Sequence, residues 1–230
     1  MAQLGPSCPR PLGSSIPRSS PCEASDVEVF LETDRLVLRR FTRDDVDAVL
    51  ELDSDPQVRR FVEDGEPVNR AAAADCIEHW LGYYERSDTF GFWAAIEKDS
   101  GQFLGWFHLR PHADAPPAEP ELGYRLVSSA WGKGYATEGS RALIDKGFES
   151  PGVMRVVAST MAIHTASRRV MEKAGMRHVR SFHADWPVHI PGDEHGDVEY
   201  AISRREWAAG RHNRYLEHLD HQQEERPWTK

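Results

Sequence analysis

The stretch Trp131-Gly132-Lys133-Gly134-Tyr135-Ala136-Thr137 decides how the chain is read, because its two flanks carry different periodicities. Upstream, Glu121 to Val127 reads as a short strand. Downstream, Ala136, Ser140, Leu143 and Gly147 recur at helical spacing, with Ile144 and Phe148 beside them. A glycine-rich turn therefore joins a strand to the first turn of a helix. The first N–H groups of a helix lack intrahelical partners, and the dipole there favours negative charge. Two glycines let the backbone curl and leave no Cβ in the way of a phosphate oxygen. The stretch reads as a diphosphate cradle or as an ordinary glycine loop before a helix. It is not a Walker loop, since GxxxxGK followed by Ser or Thr is absent. A dinucleotide fingerprint is also incomplete. Thr137 stands where its third glycine belongs, and the next strand, Val153 to Ala158, ends in Ser159-Thr160 rather than an acid.

At 230 residues the chain fits one domain plus tails. No apolar run approaches the ~20 residues of a membrane helix, so no membrane is expected as a partner. The three cysteines, Cys8, Cys22 and Cys76, show no metal spacing and read as free thiols in a reducing cytoplasm. The net charge of −9 argues against non-specific nucleic-acid binding and modestly favours a cationic partner such as an amine.

Residues 1–28, rich in serine and proline, read as a disordered tail. A domain is expected over 29–208, and a polar tail or marginal helix over 209–230. Within the domain a first strand is expected from Glu32 to Phe41. Thr42 and Asp45 then suit the N-cap of a helix carrying Val46, Val49 and Leu50. A second helix places Ala73, Ile77, Trp80, Leu81 and Tyr84 on one face, with Trp80 and Tyr84 read as core. Phe90 to Glu97 and Phe103 to Arg110 read as a hairpin around Lys98-Asp99-Ser100-Gly101. Pro111 to Pro120 reads as a surface loop. The strand at Val153, a helix from Thr165 to Ala174 closed by Gly175, a strand from Met176 to Asp185 and a last strand through Val198, Tyr200 and Ile202 complete the order.

These residues resemble the GNAT superfamily of acetyl-CoA-dependent N-acetyltransferases. The family's phosphate loop has Gln or Arg, two free positions, Gly, one free position, then Gly or Ala. Gly134 and Ala136 keep that pattern, with Trp131 in the Gln/Arg position. The string WGKGYATE resembles the RimJ/RimL branch, the ribosomal-protein N-terminal acetyltransferase type. So does Thr165 to Met176, against the branch's NxxSxxvmeKaGF. Leu31 to Arg39, and Asp197 to Ile202 with Trp207, bracket these matches in order, spanning 29–208. The resemblance implies an α+β fold, an α/β/α sandwich. Its mixed, mostly antiparallel sheet of six to seven strands would splay between strands 4 and 5 and be flanked by about four helices. A bulge in the fourth strand would open the splay, and the pantetheine arm would slot into it. The helices around Val46 and Trp80 would wall one side of the acceptor site.

Acetyl transfer to an amine needs a neutral acceptor, a donor for the oxyanion and a proton for the departing thiolate. Glu121, opening the strand before the cradle, is the first candidate general base, with Glu119 second. The other reading of Glu121 is a solvated strand-start acid, and the two stand level. Ser167 matches the serine that the RimJ/RimL branch offers to the CoA sulfur, or else is a small residue permitting close helix packing. Many members place a Tyr four positions further, where this chain has Met171. His164 stands where the family commonly has Asn on the pantetheine, and a histidine there could titrate near neutral pH. Together with Trp131, Gly132, Lys133, Gly134, Tyr135, Ala136, Thr137 and Ser167 it forms the expected acetyl-CoA-binding set. The cluster of His183, Asp185, His189, Asp193, Glu194, His195 and Asp197 matches no zinc signature, and no metal is expected. It reads as a flexible acidic loop over the acceptor site that selects amine-bearing acceptors. The leading reading is acetyl transfer to a primary amine, on a protein N-terminus or a small molecule, by direct attack in a ternary complex. A monomer or homodimer in the cytoplasm is expected. The competing readings are a non-catalytic acyl-CoA-binding module and, disfavoured by Thr137, a dinucleotide-dependent enzyme.

Overall fold

In the computed structural model, which describes residues 28–61, 68–111, 118–186 and 188–211, the strands form one eight-stranded sheet of order β1-β2-β3-β4-β5-β6-β8-β7. β1 (Val29–Glu32), β2 (Leu36–Arg39), β3 (Gly91–Glu97), β4 (Phe103–Pro111) and β5 (Pro120–Leu126) make an antiparallel series. β6 (Arg155–Met161), β7 (Arg177–Phe182) and β8 (Asp197–Ser203) make a second antiparallel group, with β8 between the other two. The groups meet at β5 and β6, which run parallel.

The fold class is the expected one, with a strand more than expected. The first strand is a hairpin rather than one run from Glu32 to Phe41. Thr33 N–H donates to the Leu36 carbonyl at 2.9 Å, and Leu36 N–H returns a 2.9 Å bond to the Thr33 hydroxyl, closing a tight turn. The splay therefore lies between β5 and β6, which share a single pair, Glu121 with Val157. No bulge opens it. β5 stays in unbroken register with β4 from Gly105–Leu126 to Pro111–Pro120, and β6 pairs with β8 over its whole length. Each strand is held by its outer neighbour, and the two ladders diverge between them.

Among the described residues the sheet is covered by α1 (Val46–Ser54), α2 (Pro56–Arg59), α3 (Arg70–Tyr84), α4 (Tyr135–Glu149) and α5 (Thr165–Lys173). The cap read at Thr42 is present: the Asp45 carboxylate accepts from Thr42 N–H at 2.8 Å and is gripped by Arg39 at 2.6 and 2.8 Å. Asn69 caps α3 by accepting from Ala72 N–H at 3.0 Å.

Strand alternation sorts the core into two layers. Phe92, Ala94 and Trp106 face α1, α2 and α3, where Val49, Ile77 and Trp80 are buried. Trp93, Ala95, Phe107, Leu109 and Leu122 face α4 and α5, against Leu143, Ile144, Phe148 and Met171. Trp80 is core, as read. Tyr84 is half-buried, with its hydroxyl donating to the Phe92 carbonyl and accepting from Phe41 N–H.

One reading on the α1–α3 side is corrected. Cys76 is disulfide-bonded rather than a free thiol; spacing along the chain does not report which sulfurs meet in space. The tails 1–27 and 212–230 and the centre of the loop after β4 (112–117) lie outside the described residues. Residues 204–211 are helical. Among the described residues no helix is long and apolar enough to cross a membrane.

Candidate active site

A cavity of about 580 Å³ runs through the splay and is lined from both faces of the sheet. At one end lies the glycine turn. Gly132 and Gly134 have φ of +73° and +89°, which an L side chain adopts only under strain, and Gly134 is the N-cap of α4. The turn is held from outside: Arg35 donates to the Lys133 carbonyl at 3.0 Å and pairs with Glu138 in the first turn of α4. Trp131, in the Gln/Arg position, donates its indole N–H to the Leu126 carbonyl at 2.8 Å and so ties the turn to the end of β5. Trp131, Gly132, Gly134, Ala136 and Thr137 line the cavity. Lys133 and Tyr135 do not. Lys133 is exposed, and the Tyr135 ring is buried with its hydroxyl on Glu97. What remains is a preformed concavity of backbone N–H groups at a helix start, fit for a diphosphate.

On the α4–α5 side, Ser167 is buried, and its Oγ lies 3.0 Å from the Tyr124 hydroxyl. Tyr124 also donates to the Ser167 carbonyl at 3.1 Å. Burial pushes the Tyr124 phenol up, against the Ser167 hydrogen bond, so the proton stays on. A tyrosine hydroxyl thus reaches this place from β5, although the sequence position examined for one holds Met171, which is core. His164, at the N-terminus of α5, stacks on Phe61 at 3.9 Å across the cavity. The expectation that it titrates near neutral pH is corrected: burial, and then the Arg60 guanidinium, lower its pKa to about 4.

On the other face, Glu121 is buried at the one β5–β6 pair, with a carboxylate oxygen 3.3 Å from Arg110 and 4.0 Å from His108 Nε2. Glu119 is paired with Arg155 at 2.9 Å and does not line the cavity. Trp106, His108 and Arg110 alternate along β4 opposite Arg125, Gly123 and Glu121 of β5, so all six share one face and line the cavity. His108 and Trp106 were missed in the sequence. Three polar or aromatic residues at every second position of a strand were the available signal.

The segment from His183 to Asp197 reaches the cavity through Trp186, whose indole N–H donates to the buried Asp197 at 3.3 Å. The acidic side chains expected to face the acceptor are turned elsewhere. Asp193 accepts from Ile190 N–H and pairs with His189 at 2.7 Å, and Glu194 accepts from Gly192 N–H at 2.9 Å. These carboxylates satisfy local backbone and, like Asp185, do not line the cavity. Among the described residues no group of three or more His, Cys, Asp or Glu is placed to hold a metal.

A family model described as the acetyltransferase (GNAT) domain matches residues 35–177. The chain belongs to the GNAT acetyltransferase family. As a GNAT enzyme it catalyses acetyl-CoA-dependent N-acetylation, with acetyl-CoA as co-substrate. It is similar to the FsC-acetyl coenzyme A-N(2)-transacetylase of Aspergillus fumigatus, 35% identical over 187 residues that cover 77% of each chain. Among solved structures it resembles a GNAT-family acetyltransferase from Bacillus anthracis, with 23% identity, a TM-score of 0.61, and 77% of this chain and 97% of that one covered. It also resembles RimL, the ribosomal L7/L12 alpha-N-protein acetyltransferase, in complex with coenzyme A. There the identity is 16%, the TM-score 0.64, and the coverage 76% and 98%. What these structures share with the chain is the fold.

Proposed function

We propose that this GNAT enzyme acetylates a primary amine, on a protein N-terminus or a small molecule, by direct attack in a ternary complex. The observation that carries this is the placement of two groups on opposite faces of one gap. Glu121 lines it from the α1–α3 face, and the Tyr124–Ser167 hydroxyl pair lines it from the α4–α5 face. Acetyl-CoA lies with its diphosphate on the turn from Trp131 to Thr137 and its pantetheine arm between β5 and β6, beside His164. The amine enters from the face of Glu121. Its nitrogen forms a bond to the thioester carbonyl carbon, the surplus nitrogen proton passes to Glu121, and the C–S bond breaks. The departing thiolate accepts a hydrogen bond from the Ser167 hydroxyl, which Tyr124 positions while keeping its own proton, and it is protonated as CoA leaves while Glu121 returns its proton to solvent. The relative named for N(2) transacetylation supports a nitrogen acceptor.

The test is initial-rate measurement of CoA release from acetyl-CoA, with calorimetry of CoA binding alongside. Glu121→Gln is expected to lower kcat by about 10²-fold or more with coenzyme binding unchanged. Ser167→Ala and Tyr124→Phe are expected to act in the same direction. Gly134→Glu, which fills the cradle, is expected to abolish coenzyme binding. Full turnover in Glu121→Gln would remove the base assignment.

A further inference from the structure

The row Trp106, His108, Arg110 on β4 carries hydrogen-bonding capacity that the described protein leaves unused. The indole Nε1 of Trp106, both ring nitrogens of His108 and Nε of Arg110 are buried without a hydrogen-bond partner among the described residues. Buried polar atoms are nearly always satisfied, and a cluster of exceptions in one cavity calls for a ligand. Trp106 is 4% and His108 7% exposed, so neither belongs to a solvated surface.

The ring of His108 is held in place. Phe92 packs edge-on at 4.9 Å, Trp106 stacks at 5.7 Å, and the ring lies over Gly123, where a Cβ would come within 2.5 Å of Nε2. Burial, and then Arg110 and Arg125, keep the imidazole neutral, with one N–H donor and one acceptor nitrogen. The unused atoms therefore comprise three N–H donors and one acceptor.

That donor excess selects a ligand oxygen. The charges around it select which kind. Arg110 is paired with Glu121 at 3.3 Å and Arg125 with Asp53 at 2.5 Å, so each arginine of this face already has a carboxylate beside it. The donors of Trp106 and His108 are neutral and the Glu121 carboxylate stands 4.0 Å from His108 Nε2, so a neutral carbonyl suits the row better than a second carboxylate.

Resting on the amine-acetylation reading above, we propose that this row is an acceptor subsite for a neutral carbonyl beside the reacting amine. The acceptor class it fits is the α-amino amide, the α-amino ester or the peptide N-terminus. Simple alkylamines and free amino acids lack the matching group.

Binding and turnover are measured separately on the full chain. Binding uses CoA-saturated protein and compares leucinamide with 3-methylbutylamine, its counterpart without the carbonyl group, by calorimetry. Affinities are referred to the neutral amine, because α-amines lose their proton near 7.7–8.0 and alkylamines near 10.4. Leucinamide is expected to bind about tenfold tighter or better. Trp106→Phe, which removes one N–H and keeps the ring, is expected to cut that preference about three- to tenfold. His108→Leu is expected to act likewise, and neither variant should alter CoA binding. Equal affinities in the wild type, or a preference untouched by both variants, would overturn the subsite. Turnover with acetyl-CoA reads the catalytic proposal independently. A carbonyl preference without any turnover would sink that proposal and leave the subsite standing. Equal turnover of both amines, without a binding preference, would do the reverse.

Discussion

His164 shows how one side chain can make stability depend on pH. Its folded pKa of about 4 lies below the ordinary 6.5. Between these values the unfolded chain binds a proton that the native site refuses. Stability is therefore complete above about pH 6.5 and falls as pH drops toward 4. His108, held neutral by burial and two arginines, adds to the same slope. Urea unfolding at pH 7 and pH 5 is expected to show a smaller difference for His164→Asn than for the wild type, by on the order of 1–2 kcal/mol. Equal differences would mean that the site does not resist the proton. The family resemblance pointed to His164 and Ser167, and the start of the strand before the glycine turn pointed to Glu121. Neither could find Tyr124, which meets Ser167 from 43 residues away across the gap. The position on α5 where the resembling family often has a tyrosine holds Met171, in the core. Hydroxyls that converge through tertiary contact leave no local pattern.

At the scale of elements, β4 and β5 are matched by what each omits. Gly123 is the only residue type that leaves room for the His108 ring directly opposite it. Gly123→Ala is expected to destabilise the protein by about 1–3 kcal/mol and to displace the ring. His108→Ala should relieve that cost, so the double variant should show a coupling energy in denaturant unfolding. Simple additivity would show that the ring does not pack there. The elements themselves were largely legible. The β3–β4 hairpin, the cap of α1, the buried stripe of α3 and the glycine that ends α5 fall where periodicity and turn chemistry place them. The β1–β2 hairpin was not, because its turn through Thr33, Asp34 and Arg35 uses neither glycine nor proline. β8 was half-legible: Val198, Tyr200 and Ile202 alternate, yet every residue from Asp197 to Ile202 is buried. A strand inside the sheet, covered on both faces, gives up the contrast that alternation relies on.

For the molecule as a whole, coenzyme held in the gap between β5 and β6, as proposed, is expected to raise stability. CoA at about 100 times its Kd is expected to add about 2.7 kcal/mol. For a chain of this size the melting temperature should then rise by roughly 5–11 °C. Gly134→Glu should show no rise. A wild-type melting curve indifferent to CoA would mean that the gap is not where the coenzyme lies. The parting of β5 and β6 has another consequence. A sheet normally keeps its raw edges at the rim, where charge, a bulge or a covering helix discourages foreign strands. This sheet has a second pair of edges in its interior, facing each other across a slot. Any extended backbone of suitable width can lie in such a slot and hydrogen-bond to both sides, as an added strand would at the rim. On the proposed reading, the selectivity that keeps stray peptides out falls to the glycine turn at one end, as the seat of a diphosphate, and to the narrowness imposed by the single clasp of Glu121 and Val157 at the other.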